Sequence, residues 1–140
     1  MLRAFPMILI AGLVYNALVF VGAAAGHDAM SILSNAIVVP VFSGDHWKIS
    51  LGDGLMALAL LLLFVETVKA TGTGRREILN HAFSMLTFVG ALVEFIVLRG
   101  FGTSPFFFIT AMCLFDVVAG YTIAIIAAKR DMPMVTREVD

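Results

Sequence analysis

The sequence predicts an all-α integral membrane protein. Four transmembrane helices are expected in an antiparallel up-down-up-down bundle, with a short amphipathic interfacial helix between the first and second. Three observations predict this. Of 140 residues, 61% are hydrophobic and 14% charged, with a mean hydropathy of +1.01, whereas a soluble domain carries about a quarter charged residues. Four apolar stretches, each about the length that crosses a hydrocarbon core, are separated by short polar connections. Lys and Arg, finally, gather on alternate connections. A chain of this length makes a single domain, residues 1–140.

Composition also excludes function classes. A net charge of −1 gives no basis for nucleic-acid binding. Cys113 is the only cysteine and lies in an apolar run, so the chain forms neither an internal disulfide nor a thiolate metal site.

Helix one is expected at about 5–25. The basic start, apolar run and alanines 23–25 are also features of a signal peptide, but the apolar stretch is long enough to span, and the helix is expected to be retained. Pro6 falls in its first turn, where a missing N–H costs least. Gly12, Asn16, Val19, Ala23 and Gly26 recur at helical spacing as a small face carrying one amide, and Gly22 with Gly26 suits close helix approach.

In the following segment, His27, Asp28, Ser31, Ser34 and Asn35 oppose Met30, Leu33, Ala36 and Ile37 at helical period. This predicts an interfacial helix over about 28–39, ended by Pro40, with Trp47 as an interfacial anchor. His27–Asp28 and Asp45–His46 lack metal-ligand spacing and read as polar loop residues, so no metal is expected.

Helix two is expected at about 50–70. Ser50-Leu51-Gly52-Asp53 is a capping-box pattern with Asp in place of Glu. At the far end, Glu66 and Lys69 are spaced to pair on one face, with Lys69 reaching the headgroups. Gly72 and Gly74 predict a turn. Helix three, about 78–98, carries the most specific pattern of the chain: Asn80, Ser84, Thr87, Ala91 and Glu94, at steps of four, three, four and three. A polar stripe on an otherwise apolar helix is expected to face inward, because lipid cannot satisfy it. Its bland role is interhelical hydrogen bonding. Helix four, about 105–128, is expected to be capped by Ser104 with Pro105 at its first position. It sets Cys113, Asp116, Gly120, Ala124 and Ala127 on one small or polar face. Residues 129–140 form a polar tail.

Arg3, Lys69, Arg75, Arg76, Lys129, Arg130 and Arg137 fall on one side and Lys48 and Arg99 on the other, which places both termini in the cytoplasm of a bacterial-type inner membrane. At about 1.5 Å per residue, Asp116 and Asn16 lie near mid-depth, Glu94 roughly 9 Å outward and Glu66 roughly 9 Å toward the cytoplasm. No Arg or Lys reaches mid-depth, so Asp116 is expected to be protonated or solvated by a water-filled path, with Asn16 and Cys113 as hydrogen-bond partners. The expected seam is Asp116, Glu94, Asn16, Glu66, Thr87, Ser84 and Asn80. A ladder of carboxylates with hydroxyls between them is the chemistry of a proton or cation route. Transport or channel activity is therefore expected, with the lipid bilayer as surroundings and a homo-oligomer as the working state. The alternative is a non-catalytic accessory or assembly subunit whose seam meets other membrane subunits. An enzyme ranks third: no catalytic residue and no cofactor is assigned, since facing haem-ligand histidines are lacking and His81 reads as an interfacial residue reaching toward Glu66.

Overall fold

A computed structural model describes residues 5–70 and 75–130. The chain is mostly helical, in the order α1 (Ile8–Ala24), α2 (Ala29–Leu33), β1 (Ala36–Pro40), β2 (His46–Ser50), α3 (Leu51–Lys69), α4 (Arg75–Val97) and α5 (Ser104–Arg130). Three helical segments, Leu51–Lys69, Leu79–Val97 and Ser104–Ile126, are long and apolar enough to cross a membrane, as in a membrane-embedded protein. The shorter α1 is apolar as well. The turn expected at Gly72 and Gly74 and most of the expected tail lie outside the described residues.

The helix ends follow local chemistry. Ser50 and Asp53 close the capping box reciprocally, with Asp53 N–H donating to Ser50 Oγ at 3.1 Å and Ser50 N–H to Asp53 Oδ2 at 2.8 Å. α1 is shorter than 5–25 at both ends. At its C-terminus Gly26 adopts φ +79°, a left-handed conformation open to glycine, and His27 N–H returns to Gly22 O at 2.9 Å. Gly26 therefore terminates α1 and does not take part in a helix-contact face, while Gly22 packs under the Ile32 side chain. The cap of α5 is Thr103, not Ser104: Phe106 N–H donates to Thr103 Oγ1 at 3.4 Å and Phe107 N–H to Thr103 O at 2.9 Å. Pro105 is consequently the second helical residue.

The helix expected over 28–39 exists only as α2. Asp28 caps it by accepting from Met30 N–H at 3.2 Å, and the chain then turns into an antiparallel hairpin pairing Ala36 with Ser50 through Pro40 with His46. Ile37, Val38 and Val39 are β-branched, and such residues fit a pleated strand better than a helix. The helical period across Asp28–Ile37 was real in spacing but stopped being helix at Ser34. Pro40 is accommodated because a two-stranded ribbon leaves each strand an open edge. The hairpin turn is closed by Val41 N–H to Asp45 O at 3.0 Å and Gly44 N–H to Val41 O at 3.0 Å. Its base is tied to α3 by Leu51 N–H donating to Asn35 O at 2.8 Å. Val38, Phe42 and Trp47 stand exposed on it.

The core lies where α1, α3 and α5 meet, closed at one end by α2 and the turn before α5. Ile8, Ala11, Tyr15 and Val19 line the buried face of α1, against Leu55 and Ala59 of α3 and Phe106, Ile109 and Cys113 of α5. Tyr15, Phe101 and Phe106 form an aromatic cluster with centroids 4.5–5.4 Å apart, within the range in which tilted rings attract. The buried face of α1 thus shares Val19 with the expected one and otherwise lies one residue away from it. Asn16 and Gly12 are rotated off it and Ala23 is exposed.

Candidate functional site

The polar side chains expected to form one seam divide into two sites. The first is enclosed between α3, α4 and α5. Asn80 and Ser84 are four residues apart on α4 and so share a face; they and His81 are buried there, and Asp116 and Gly120 are buried on α5. Glu66 closes one end. Fully buried, it accepts hydrogen bonds from Met7 N–H at 2.7 Å and from Asn80 Nδ2, and it pairs with Lys69 at 3.0 Å. Met7 immediately precedes α1, so the carboxylate satisfies a free N–H at the positive end of that helix. Lys69 also donates to Phe5 O at 2.9 Å. The expected Glu66–Lys69 pair is therefore present, but it is one part of a knot joining α1, α3 and α4.

Beyond this knot the site is under-satisfied. Asn80 Oδ1, His81 Nε2, Ser84 Oγ and Asp116 Oδ2 are all buried, and none has a hydrogen-bond partner among the described residues. Asp116 lies within reach of the charges of Glu66, His81 and Lys69 and beside the Ser84 hydroxyl. Ser84 comes close to the Asp116 carboxyl without completing a hydrogen bond. His81 is 5% exposed, not interfacial. Its ring occupies the space left by the absent side chain of Gly120, and it lies 5.8 Å from the Tyr121 ring at 33°. It does not reach Glu66; Asn80 does.

The second site lies between α1 and α4. Asn16 Nδ2 donates to Glu94 Oε2 at 3.0 Å and to Gly12 O at 3.0 Å. Asn16 therefore serves Glu94 and not Asp116. Both line a groove of about 490 Å³ with Cys113 in its floor. Thr87 lies on the same groove, but its hydroxyl donates back to Phe83 O at 2.8 Å within its own helix. The α4 stripe thus faces the interior at Asn80 and Ser84 and the groove at Thr87 and Glu94, with the buried Ala91 bordering both. A single ladder does not form. At about 100° per residue from Asn80, Ser84 and Ala91 fall about 40° and 20° to one flank and Thr87 and Glu94 about 20° and 40° to the other, so the two flanks of the stripe meet different neighbours.

Two participants were not legible as such. Tyr15 was not singled out in the sequence, yet its hydroxyl donates to Gly100 O at 2.8 Å and shares a 2.6 Å hydrogen bond with Thr103 Oγ1. An amphipathic ring in mid-helix that needs a partner for its O–H was the available signal. His81 had a weaker signal: it adjoins Asn80 in the stripe.

Among the described residues, no three His, Cys, Asp or Glu side chains are grouped to hold a metal ion. Compared with protein-family models, curated proteins and solved structures, the chain matches none. What the first site offers chemically is a buried carboxyl, an imidazole, a hydroxyl and an amide oxygen with unused hydrogen-bonding capacity, adjoining a fully paired carboxylate.

Proposed function

We propose that this protein moves protons or small cations across a bacterial-type inner membrane, with Asp116 as the obligatory carrier. The observation that supports this reading is the group of four buried polar atoms, on Asn80, His81, Ser84 and Asp116, that have no partner among the described residues. Each such atom costs about 1–3 kcal/mol when left unmade, and in a lipid-surrounded interior no solvent relieves it. A transient water or proton does. Ionisable residues inside a membrane segment are the usual components of proton relays.

In this reading α1 also spans, giving four antiparallel transmembrane helices with both termini in the cytoplasm. Its 17 residues rise about 25 Å, somewhat less than the hydrocarbon thickness of about 30 Å, so the bilayer thins locally around it. Four helices enclose little volume, and the working unit is a homo-oligomer. The test is proton flux in proteoliposomes under an imposed potential, read with an internal pH dye. Asp116→Asn, which preserves side-chain shape, reduces flux at least tenfold while helicity is unchanged. Flux that survives in this variant refutes the carrier.

One observation favours the alternative of an accessory or assembly subunit in a larger membrane complex: the hairpin presents Phe42 and Trp47 uncovered at 114% and 59% exposure, outside the helical body. Native mass spectrometry of gently extracted protein separates the two, since foreign subunits bound through the hairpin identify the accessory role and a homo-oligomer identifies the transporter.

A further inference from the structure

The groove between α1 and α4 carries a second inference, independent of Asp116. Its walls are Leu9 and Leu13 on one side and Leu86 on the other, with Ile109 in the floor. It exists because side chains are missing: nothing lies within 4 Å of where a Cβ would stand at Gly12 or Gly90. From Phe83 to Glu94 the groove follows α4 for about 16 Å at 1.5 Å per residue. Its volume of about 490 Å³ falls within the range of small-ligand sites, roughly 300–1,000 Å³. This is a long, narrow and apolar space.

At one end it is not apolar. Glu94 stands in the last turn of α4, half-buried, where a spanning helix approaches the headgroup level. Asn16 occupies only Oε2; Oε1 has no partner among the described residues. Among the described residues, no Lys or Arg lines the groove. A carboxylate set in an apolar wall without a counter-cation selects a positively charged group, and the apolar trough leading away from it selects a chain. A hydrocarbon tail alone fills the trough and leaves the carboxylate unmet.

We propose that this groove binds a single-chain amphiphile with an ammonium head, the cation against Glu94 Oε1 and the chain lying over Gly90 and Gly12 toward Phe83. Asn16 holds the carboxylate in place from the opposite side. The space admits one chain, so at most one chain of a two-chain lipid with the same head enters it.

The test uses the full chain in phosphatidylcholine nanodiscs, with empty discs subtracting bulk partition and the two-chain choline lipid of the disc as built-in competitor. Dodecyltrimethylammonium is the probe. The expected result is saturable binding at one per chain, weakened at least tenfold in Glu94→Gln and equally in Gly90→Leu, and not displaced by neutral dodecyl maltoside. Gly90→Leu keeps the proposal testable if Glu94→Gln loses helicity, because the added side chain meets open space. Equal affinity in the parent and either folded variant overturns the proposal, as does displacement by the maltoside. A dimer that Gly90→Leu dissociates, without probe binding, also overturns it by making a second copy the occupant.

Discussion

Gly120→Ala tests the packing that buries His81. An added Cβ would stand 2.4 Å from His81 Nδ1 and 2.5 Å from Cε1, against an ordinary contact distance of roughly 3.5 Å. The overlap of about 1 Å falls on a buried ring beside the Tyr121 ring, so either the imidazole or α5 must move. Overpacking of this kind costs about 1–3 kcal/mol, and an overlap this large with a stiff ring belongs at the upper end. Alanine's better helix propensity offsets about 1 kcal/mol. The net expectation is a loss of about 2 kcal/mol, roughly 30-fold in the folded population. In a His81→Ala background the clash is absent and only the propensity remains, so the same substitution stabilises by up to about 1 kcal/mol. The assay is detergent-induced unfolding in mixed micelles, followed by helical circular dichroism, over the four-member cycle. Equal effects of Gly120→Ala in both backgrounds would refute the reasoning, because His81 would then not be what occupies the glycine's space.

Two further outcomes are expected. Glu66→Ala removes the acceptor of Met7 N–H, Asn80 and Lys69; Lys69, 22% exposed, can turn to the headgroups, so the loss is about 3 kcal/mol, the lower end for a broken buried pair. In the same unfolding assay, a change below 1 kcal/mol would show that the knot does not hold α1 to α3 and α4. Tyr15→Phe keeps the ring but loses the bonds to Gly100 O and Thr103 Oγ1, costing about 2 kcal/mol. Hydrogen exchange at the N-terminal turn of α5 accelerates with it, and unchanged exchange there would mean that Tyr15 does not brace the Thr103 cap.

The chain's own chemistry determined the segments. Apolar length marked α3, α4 and α5 to within a few residues at their described ends, because lipid leaves a backbone no option but to satisfy itself locally. The Ser50–Asp53 box and the Glu66–Lys69 pair were legible for the same reason: both partners lie within one turn of each other. The hairpin was not legible, since a helical period by spacing runs on to Ile37 while the β-branching of Ile37 to Val39 favours a strand, and only pairing with residues eight to twelve positions away decides between them. The site was half legible. Asp116, Ser84 and Asn80 were expected inside and are buried together, whereas Asn16 was assigned to Asp116 and is bonded to Glu94. Period fixes which residues of one helix share a face, but the rotation of one helix against another is set by side-chain fit. Here Tyr15 among Phe101 and Phe106 turned α1 by one residue. That rotation, which no single helix encodes, carried Asn16 away from Asp116 and onto Glu94.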